Sequence, residues 1–355
     1  MLAVSACIVT RGLSRYWLPP GSSLRPYGAQ SGVRCRSSAY TGSTDEKVLH
    51  NNNMHFIDIG ANLTDGMFEG QYMGKAYHKR DLFCVLDRAW RAGVTKIIVT
   101  AGSLSEAKSA LELASHEQLF CTIGVHPTRC KEIEEYPQGP EAYWDALRLL
   151  IQNHKPTGKI VAIGECGLDY DRLEFCDKET QHKWFKRHFE LAASFQLPMF
   201  LHMRAAAPDF ISILKEHSAT FTRGVVHSFD DSQEHLEQLL AFPQISIGIN
   251  GCSLKTEENL AVMAQIPVGR LLLETDSPYC DIRPSHAGKR YVSTTRPAKD
   301  KKKYDAEMLV KGRNEPCNIV SVFEVVAGHR QVIDPWAFSQ QILENTMRMY
   351  NCFAR

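Results

Sequence analysis

Four short apolar runs in this chain each end on a side chain that can bind a metal ion. The runs and their final residues are VAIGE at Glu165, PMFLH at His202, GVVH at His227 and LLLETD at Asp276. Each run predicts a buried strand with the polar residue at its C-terminal end. A parallel barrel brings the C-terminal ends of all its strands to one rim, so these distant residues would meet there. Carboxylate and imidazole groups at such a rim predict a divalent-metal site.

The alternation of strands and helices from Phe56 onward indicates a TIM (β/α)8 barrel. Eight strands are predicted, at 56–60, 96–100, 119–124, 160–164, 198–202, 222–227, 245–249 and 270–275. Helices are predicted at 103–117, 178–195, 316–328 and 334–350. The structural rival is an open doubly wound sheet, which usually carries a glycine-rich phosphate loop after its first strand. The sequence GANLTD at that place is not such a loop, so the barrel is favoured.

The first 44 residues differ in composition from the rest of the chain. They contain five Arg and eight Ser but no Asp, Glu or Lys, which is typical of a mitochondrial transit peptide. We therefore expect a mitochondrial protein; the alternative is a leader without an address and a nuclear or cytoplasmic location. Eleven Cys without a C-x-x-C pair indicate a reducing compartment. We assign residues 1–54 to an N-terminal extension and 55–355 to the barrel domain.

Overall charge does not indicate a nucleic-acid-binding protein. The formal net charge is +1, and outside residues 1–44 the chain has 36 basic and 40 acidic residues. Binding of a polyanion would then depend on a local patch or on metal ions. We expect Arg204 and the basic segment 283–303, with Lys289 and Arg290, to bind phosphates above the rim; the alternative for the segment is a solvated surface. No apolar run approaches the roughly 20 residues of a membrane-spanning helix, and no obligate protein partner is inferred.

The predicted site contains the side chains of a hydrolase. Glu165 can bridge two ions through its two oxygens, and His202 and His227 would face it from the next two strands. Asp276 would lie across the rim, where it is the best candidate to accept a proton from an attacking water. His126 follows the third strand, where it would contact phosphate or orient water, or else simply cap the loop.

Six motifs in order resemble the TatD family of metal-dependent deoxyribonucleases. They are G-V-H-P at 124–127, I-G-E-C-G-L-D-Y at 163–170, F-L-H-M-R at 200–204, V-V-H-S-F at 225–229, E-T-D-S-P-Y at 274–279 and R-N-E-P at 313–316. The run F-I-D-I-G-A-N-L-T-D at 56–65 is similar to the eukaryotic branch of TatD domain-containing deoxyribonucleases. The resemblance implies an amidohydrolase-type barrel that degrades DNA as a 3′–5′ exonuclease. It also implies two divalent ions per subunit, Mg²⁺ first, with Mn²⁺ or Zn²⁺ as alternatives.

The resemblance further implies roles for individual residues. The implied ligands are Glu165 shared between two ions, His202 and His227 on one ion, and Asp276 on the other. His126 matches the active-site His of the family. Glu315 matches the Glu of R-N-E-P, which would support the site from outside the ligand set.

One departure from the family pattern concerns the first strand. Many relatives carry H-x-H there, whereas this chain has Gly60 and Asn62. Asn62 offers one carbonyl oxygen and Gly60 has no side chain, so we expect the ion between Glu165 and Asp276 to be held weakly. Asp58 in the same motif is either a weak ligand or a structural hydrogen-bond acceptor.

The sequence is also consistent with two other functions. One is a metal-dependent hydrolase of another ester or amide, such as an aminoacyl ester on RNA, because a barrel fold does not choose among substrates. The other is a barrel that is retained as a binding module without catalysis, an idea whose support is the missing H-x-H.

Overall fold

A parallel barrel of eight strands forms the centre of the described part of the chain. The computed structural model describes residues 54–351; the predicted targeting segment, 1–44, and the rest of the extension up to residue 53 lie outside this range. The strands are β1 (Phe56–Ala61), β2 (Val94–Val99), β3 (Leu119–Ile123), β4 (Ile160–Asp169), β5 (Met199–Arg204), β6 (Gly224–Val226), β7 (Ile245–Ile249) and β8 (Leu271–Leu273). Each strand pairs in parallel with the next along the chain, which confirms the predicted TIM barrel.

Helices surround the barrel; most of them connect successive strands, and the last two follow β8. They are α1 (Leu82–Arg91), α2 (Leu104–Leu113), α3 (Pro140–His154), α4 (Lys178–Phe195), α5 (Ala207–Glu216), α6 (Gln233–Leu240), α7 (Glu257–Ala264), α8 (Ile319–His329) and α9 (Pro335–Met349). Polar N-caps fix where these helices begin: the Ser103 hydroxyl accepts from the Glu106 N–H at 3.2 Å, and Asp177 accepts from the Thr180 N–H at 2.8 Å. Among residues 54–351, no helix has the length and apolar character needed to cross a bilayer.

The first and last strands close the barrel through the segment that follows β8. The Asp276 N–H donates to the Gly60 carbonyl at 2.8 Å, and the Asn62 N–H donates to the Ser277 carbonyl at 2.7 Å. Asp58 of β1 also links the first strand to the segment after β8, because its carboxylate accepts from the Thr275 N–H at 2.9 Å and from the Thr275 hydroxyl at 2.6 Å. Burial raises the pKa of Asp58 to about 8. Asp58 is therefore a structural hydrogen-bond acceptor in this fold.

An apolar cluster fills the barrel below its C-terminal rim. It is formed by Ile57, Ile59, Ile98, Val161, Ala162, Phe200, Val225, Leu272, Met349 and Tyr350. Met349 is the last residue of α9 and Tyr350 follows it. Asn345 on the same helix donates to the carbonyl of Leu271, the first residue of β8, so α9 packs at the N-terminal end of the barrel. Because side chains alternate along a strand, Phe200 and Val225 in this layer place His202 and His227, two residues further on, in the layer above. The apolar layer thus supports a polar layer at the rim.

Strand β4 is longer than the sequence predicts. It was expected to end at residue 164, but residues 166–169 continue to pair with residues 201–204 of β5. Gly167 permits this close pairing because its φ is +151° and a Cβ at this position would collide with the carbonyl oxygen of His202. The extension carries Asp169 up to the rim, on the same strand as Glu165.

Candidate metal centre and active-site cleft

The C-terminal rim of the barrel surrounds an open cleft of about 500 Å³. All four predicted ligands line this cleft: Glu165, His202, His227 and Asp276. Three of them form a tight group, in which one ligand atom each of Glu165, His202 and His227 lies within 4.8 Å of the others. Asp276 stands outside this group, as expected for a residue from the last strand.

The tight group is centred on one oxygen of Glu165. Its Oε1 lies 2.8 Å from His202 Nδ1 and 2.9 Å from His227 Nε2, and the two nitrogens are 3.0 Å apart. Glu165 is only 7% exposed and His227 only 4%, so water shields these groups little. One carboxylate oxygen and two imidazole nitrogens are directed at one point. Zn²⁺ and Mn²⁺ bind donors of both kinds, whereas Mg²⁺ prefers the carboxylate oxygen. The residues present therefore fit a divalent ion.

The electrostatics of the group are consistent with a cation site. Burial alone would raise the pKa of Glu165, but the positive charge of His227 and hydrogen bonds from His202 and His227 hold that pKa well below its ordinary value. Burial opposes the charged forms of His202 and His227, yet neighbouring carboxylates raise the pKa of both rings. A divalent ion bound here would replace protons on the two rings, so its affinity should fall at low pH.

Asp276 lines the same cleft in an unusual backbone conformation. Its φ is +53°, a region that residues with a side chain rarely adopt. Asn62 Nδ2 donates to Asp276 Oδ1 at 2.8 Å, and the Cys280 thiol donates to Oδ2 at 3.2 Å. Burial raises the pKa of Asp276 to about 6, against the opposing charge of His227. Asp276 is thus a fixed carboxylate with an elevated pKa, as a proton acceptor requires.

The amide of Asn62 forms hydrogen bonds through both its nitrogen and its oxygen. Its carbonyl oxygen, which the sequence offered as a metal ligand, accepts from the Thr100 hydroxyl at 3.1 Å. Its nitrogen is the atom that contacts Asp276. Asn62 therefore supports Asp276 and does not take the place of the missing second histidine of H-x-H.

His126 lies against Glu165 with one nitrogen directed into the cleft. Its Nε2 is 3.4 Å from Glu165 Oε1. Its Nδ1 accepts from the Thr128 N–H at 3.2 Å, which leaves the ring proton on Nε2. Burial lowers the pKa of His126 to about 3, so the ring is neutral. His126 can donate a hydrogen bond into the cleft.

A second buried histidine fixes the backbone just before His126. His188 Nε2 accepts from the Val125 N–H at 3.0 Å, and His188 Nδ1 donates to the Trp184 carbonyl at 2.7 Å. Burial lowers the pKa of His188 to about 4, so this ring is neutral as well. Helix α4 thereby positions the loop that carries His126.

The three residues predicted to bind phosphate lie in different places. Arg204 lines the cleft, with Nη2 2.7 Å from Asp171 Oδ2. Lys289 and Arg290 lie on a one-turn helix that packs against α7 and α8 and does not line the cleft. Arg290 forms two hydrogen bonds with Glu257, at 2.6 and 2.8 Å. Neither Lys289 nor Arg290 lines the cleft, although the Ala287 N–H beside them donates to the carbonyl of the cleft residue Lys255 at 2.9 Å. Phosphate binding by Lys289 and Arg290 stays a prediction.

Three basic residues that the sequence reading did not select line the cleft beside Arg204. They are Arg129, Arg172 and Lys255. Each follows within about six residues of a strand end, in the loops after β3, β4 and β7. That position is the signal that could have identified them, because loops after barrel strands surround the rim.

Glu315 lies in a buried charge network away from the cleft. Its carboxylate accepts from Arg88 Nε at 2.8 Å and from Arg313 Nη2 at 2.9 Å. Arg313 also donates to both oxygens of Asp81, at 2.8 and 2.7 Å. None of these four residues lines the cleft. The network joins the start of α1 to the turn before α8, so Glu315 supports the fold and touches no predicted ligand.

Two buried carboxylates at the rim were not predicted as site residues. Asp169 Oδ2 lies 3.4 Å from His202 Nε2, and Glu274 Oε2 lies 3.5 Å from His227 Nδ1. Asp169, His202 and His126 form a second group of potential ligand atoms within 4.8 Å of one another. The two-residue period of a strand was the available signal, because Asp169 is four residues after Glu165 and Glu274 is two before Asp276.

Comparison with known proteins gives a consistent family. The family model described as TatD related DNase matches residues 57–351. Deoxyribonuclease Tat-D of Schizosaccharomyces pombe is 40% identical over 300 residues, which cover 83% of this chain and 96% of that protein. The 3′-5′ ssDNA/RNA exonuclease TatD of Yersinia pseudotuberculosis is 33% identical over 302 residues, covering 83% of this chain and 98% of that one. A crystal structure of a TatD family hydrolase from Entamoeba histolytica shares the fold with a TM-score of 0.78 and 40% identity, covering 84% of this chain and 98% of that chain. The family inferred from the six motifs is confirmed: this chain is a hydrolase that belongs to the TatD-related DNase family.

Proposed function

We propose that this chain is a metal-dependent 3′–5′ exonuclease that acts on DNA, in DNA degradation or repair. The observation that carries the proposal is the convergence of Glu165, His202 and His227 on one point, with Asp276 in the same cleft. The polarity is supported by the Yersinia relative, which is named as a 3′-5′ ssDNA/RNA exonuclease.

The donor set supports two divalent ions, with Mg²⁺ as the first candidate and Mn²⁺ or Zn²⁺ as alternatives. Glu165, His202 and His227 would hold one ion, and Glu165 with Asp276 would hold the other. The second ion has fewer protein ligands, because Gly60 has no side chain and the Asn62 oxygen is bonded to Thr100. We therefore expect the second ion to bind more weakly than the first.

The basic side chains around the cleft supply the contacts that a DNA strand needs. Arg204, Arg172 and Lys255 line the cleft, where they would contact phosphates. They compensate for an acidic excess, since the chain outside residues 1–44 has 36 basic and 40 acidic residues. Phosphate affinity would thus come from a local patch and should weaken as salt concentration rises.

The chain's own groups can carry the protons of hydrolysis. A bound divalent ion supplies Lewis acidity, which lowers the pKa of water and neutralises charge on the phosphate. Asp276 is fixed in the cleft by Asn62 and Cys280 and can accept a proton from an attacking water. His126 can donate its Nε2 hydrogen bond to a phosphate oxygen. A phosphorus–oxygen bond then forms to the water oxygen, the bond to the 3′ oxygen breaks, and the released oxygen takes a proton from solvent.

Product analysis on end-labelled oligonucleotides tests this proposal. Purified protein with Mg²⁺ is incubated with a single-stranded oligonucleotide labelled at its 5′ end or at its 3′ end. The 5′ label should move down a ladder of progressively shorter products, and the 3′ label should appear at once as a mononucleotide. Internal fragments as the first products, or a 5′ label released first, would contradict the proposed exonuclease polarity.

A matched pair of variants distinguishes DNA cleavage at this cleft from cleavage by a contaminating nuclease. Glu165→Gln keeps the volume of the side chain but removes the shared charge, and it should abolish cleavage. Glu141→Gln makes the same change at an exposed position on α3, where the carboxylate pairs with Arg187 at 2.9 Å, and it should leave cleavage unchanged. Full activity of Glu165→Gln would remove the proposed function.

A further inference from the structure

We propose that Asp169 and Glu274 are positioning residues that select which nitrogen of each ligand histidine faces the metal ion. In this arrangement His202 would bind through Nδ1 and His227 through Nε2. The inference rests on the ligand set of the proposed function, but it concerns two residues outside that set. It assigns to each ligand histidine its own buried carboxylate partner.

Each of the two histidines lies between Glu165 and one other carboxylate. His202 directs Nδ1 at Glu165 Oε1, at 2.8 Å, and Nε2 at Asp169 Oδ2, at 3.4 Å. His227 directs Nε2 at the same Glu165 oxygen, at 2.9 Å, and Nδ1 at Glu274 Oε2, at 3.5 Å. The two rings thus present opposite nitrogens to the common centre, and a different carboxylate stands behind each ring.

Each rear carboxylate is oriented through its other oxygen by a backbone N–H. Asp169 Oδ1 accepts from the Asp171 N–H at 3.0 Å. Glu274 Oε1 accepts from the Ser228 N–H at 2.5 Å and from Asn250 Nδ2 at 3.2 Å. These bonds leave Asp169 Oδ2 and Glu274 Oε2 to face the histidine rings, so the direction of both carboxylates is built into the fold.

The four atoms that face one another at the rear of the rings have no other hydrogen-bond partners. Asp169 Oδ2, His202 Nε2, His227 Nδ1 and Glu274 Oε2 are all buried, and none forms a hydrogen bond elsewhere within residues 54–351. A buried carboxylate oxygen without a donor is costly. A ring nitrogen lies nearest to each oxygen, at 3.4 and 3.5 Å, whereas the partly exposed Arg172 Nε is 3.9 Å from Asp169 Oδ2. The rear nitrogens should therefore carry the protons, which leaves the front nitrogens with free lone pairs for a metal ion.

The position of Gly60 shows that space is reserved for Glu274. A Cβ at Gly60 would lie 2.7 Å from Glu274 Oε2 and 2.9 Å from Phe200 Cζ, closer than atoms can approach. The first position of the H-x-H pattern therefore has no side chain at a place where the Glu274 carboxylate already stands. In this chain the Glu274 carboxylate occupies the space that a side chain at position 60 would need.

The rival arrangement makes Asp169 a ligand itself. His126, Asp169 and His202 could hold an ion of their own, through His202 Nε2. A single neutral ring has only one lone pair, so His202 cannot serve both groups at once. The two arrangements therefore predict protons on different nitrogens of His202 and different numbers of bound ions.

Zinc binding to full-length protein, followed by calorimetry and by NMR, tests the inference. Asp169→Asn and Glu274→Gln should each raise the dissociation constant for Zn²⁺ about 10–100-fold with unchanged stoichiometry. Asp231→Asn is the matched control, because Asp231 contacts His235 at 2.7 Å outside the cleft lining, and it should leave the constant unchanged. Circular dichroism of each variant excludes loss of fold as the cause.

Long-range ¹H–¹⁵N spectra of histidine-labelled, Zn²⁺-loaded protein give the readout that a merely structural role would not change. Signals are assigned from His202→Gln and His227→Gln. We expect the proton of His202 on Nε2 and that of His227 on Nδ1. Protons on the opposite nitrogens, unchanged Zn²⁺ affinity in both amide variants, or loss of one whole ion in Asp169→Asn would overturn the inference. Protein that binds Zn²⁺ as described but does not shorten DNA would remove the proposed function alone.

Discussion

Replacement of Glu315 by Gln should destabilise the fold strongly without weakening metal binding. Glu315 is fully buried and pairs with two guanidinium groups, those of Arg88 and Arg313. Arg313 also pairs with Asp81. The Gln side chain keeps the volume but leaves one positive charge uncompensated in a buried site. Removing one partner of a buried ion pair costs about 3–5 kcal/mol. We expect the free energy of unfolding to fall by about that amount.

The assay is urea denaturation followed by fluorescence, with Glu69→Gln as the control. Glu69 pairs with Arg80 at 3.0 Å, but their side chains are 43% and 47% exposed, so that change should cost less than about 1 kcal/mol. The double variant Arg88→Met/Glu315→Gln should lose less than the sum of its single variants, because it removes a charge together with its partner. Equal effects of Glu315→Gln and Glu69→Gln would refute the reasoning. A stable Glu315→Gln protein with weakened Zn²⁺ binding would show that Glu315 acts on the site instead.

Three further predictions concern the loop of His126, the space at Gly60 and the basic mouth of the cleft. The pKa of His188 is lowered from 6.5 to about 4 in the folded state, so neutral His188 stabilises the fold fully above pH 6.5, and this stabilisation is lost as the pH falls towards 4. Between pH 7.5 and 5, the free energy of unfolding of chelator-treated protein should therefore fall by about 2 kcal/mol more than that of a His188→Gln variant. Urea denaturation at each pH measures this difference. Gly60→Ala should cost about 1–3 kcal/mol in overpacking and should weaken Zn²⁺ binding by displacing Glu274; thermal unfolding and calorimetry measure the two effects, and a neutral substitution would contradict the geometry. Arg204→Ala should make the plot of log affinity for single-stranded DNA against log salt concentration less steep, by about 0.7. Arg187→Ala, on the outer helix α4, should leave the slope unchanged. Equal slopes in the two variants would contradict phosphate binding by Arg204.

The barrel was predictable because its signals are local. Runs such as PMFLH and GVVH are short, apolar and regularly separated by amphipathic helical sequence, and the structure confirms each as a strand of one parallel barrel. The meeting of Glu165, His202 and His227 follows from strand order and from the position of each residue at a strand end. These features need no knowledge of individual contacts.

The parts that escaped prediction depend on contacts between distant segments. The predicted strand ended at residue 164, but Gly167 lets β4 approach β5 closely, so that pairing continues to Asp169. Asp169 was consequently left in a loop. The path of the basic segment after β8 depends on packing against α7 and α8, which no pattern in residues 283–303 specifies. The orientation of the Asn62 amide likewise depends on Thr100, a residue 38 positions away.

Anomalous diffraction from crystals grown with MnCl₂ tests the central claim most directly. The account predicts a peak within bonding distance of Glu165, His202 Nδ1 and His227 Nε2, and a weaker second peak between Glu165 and Asp276. An empty cleft at Mn²⁺ concentrations that support cleavage of DNA, or an ion bound by other residues, would contradict it.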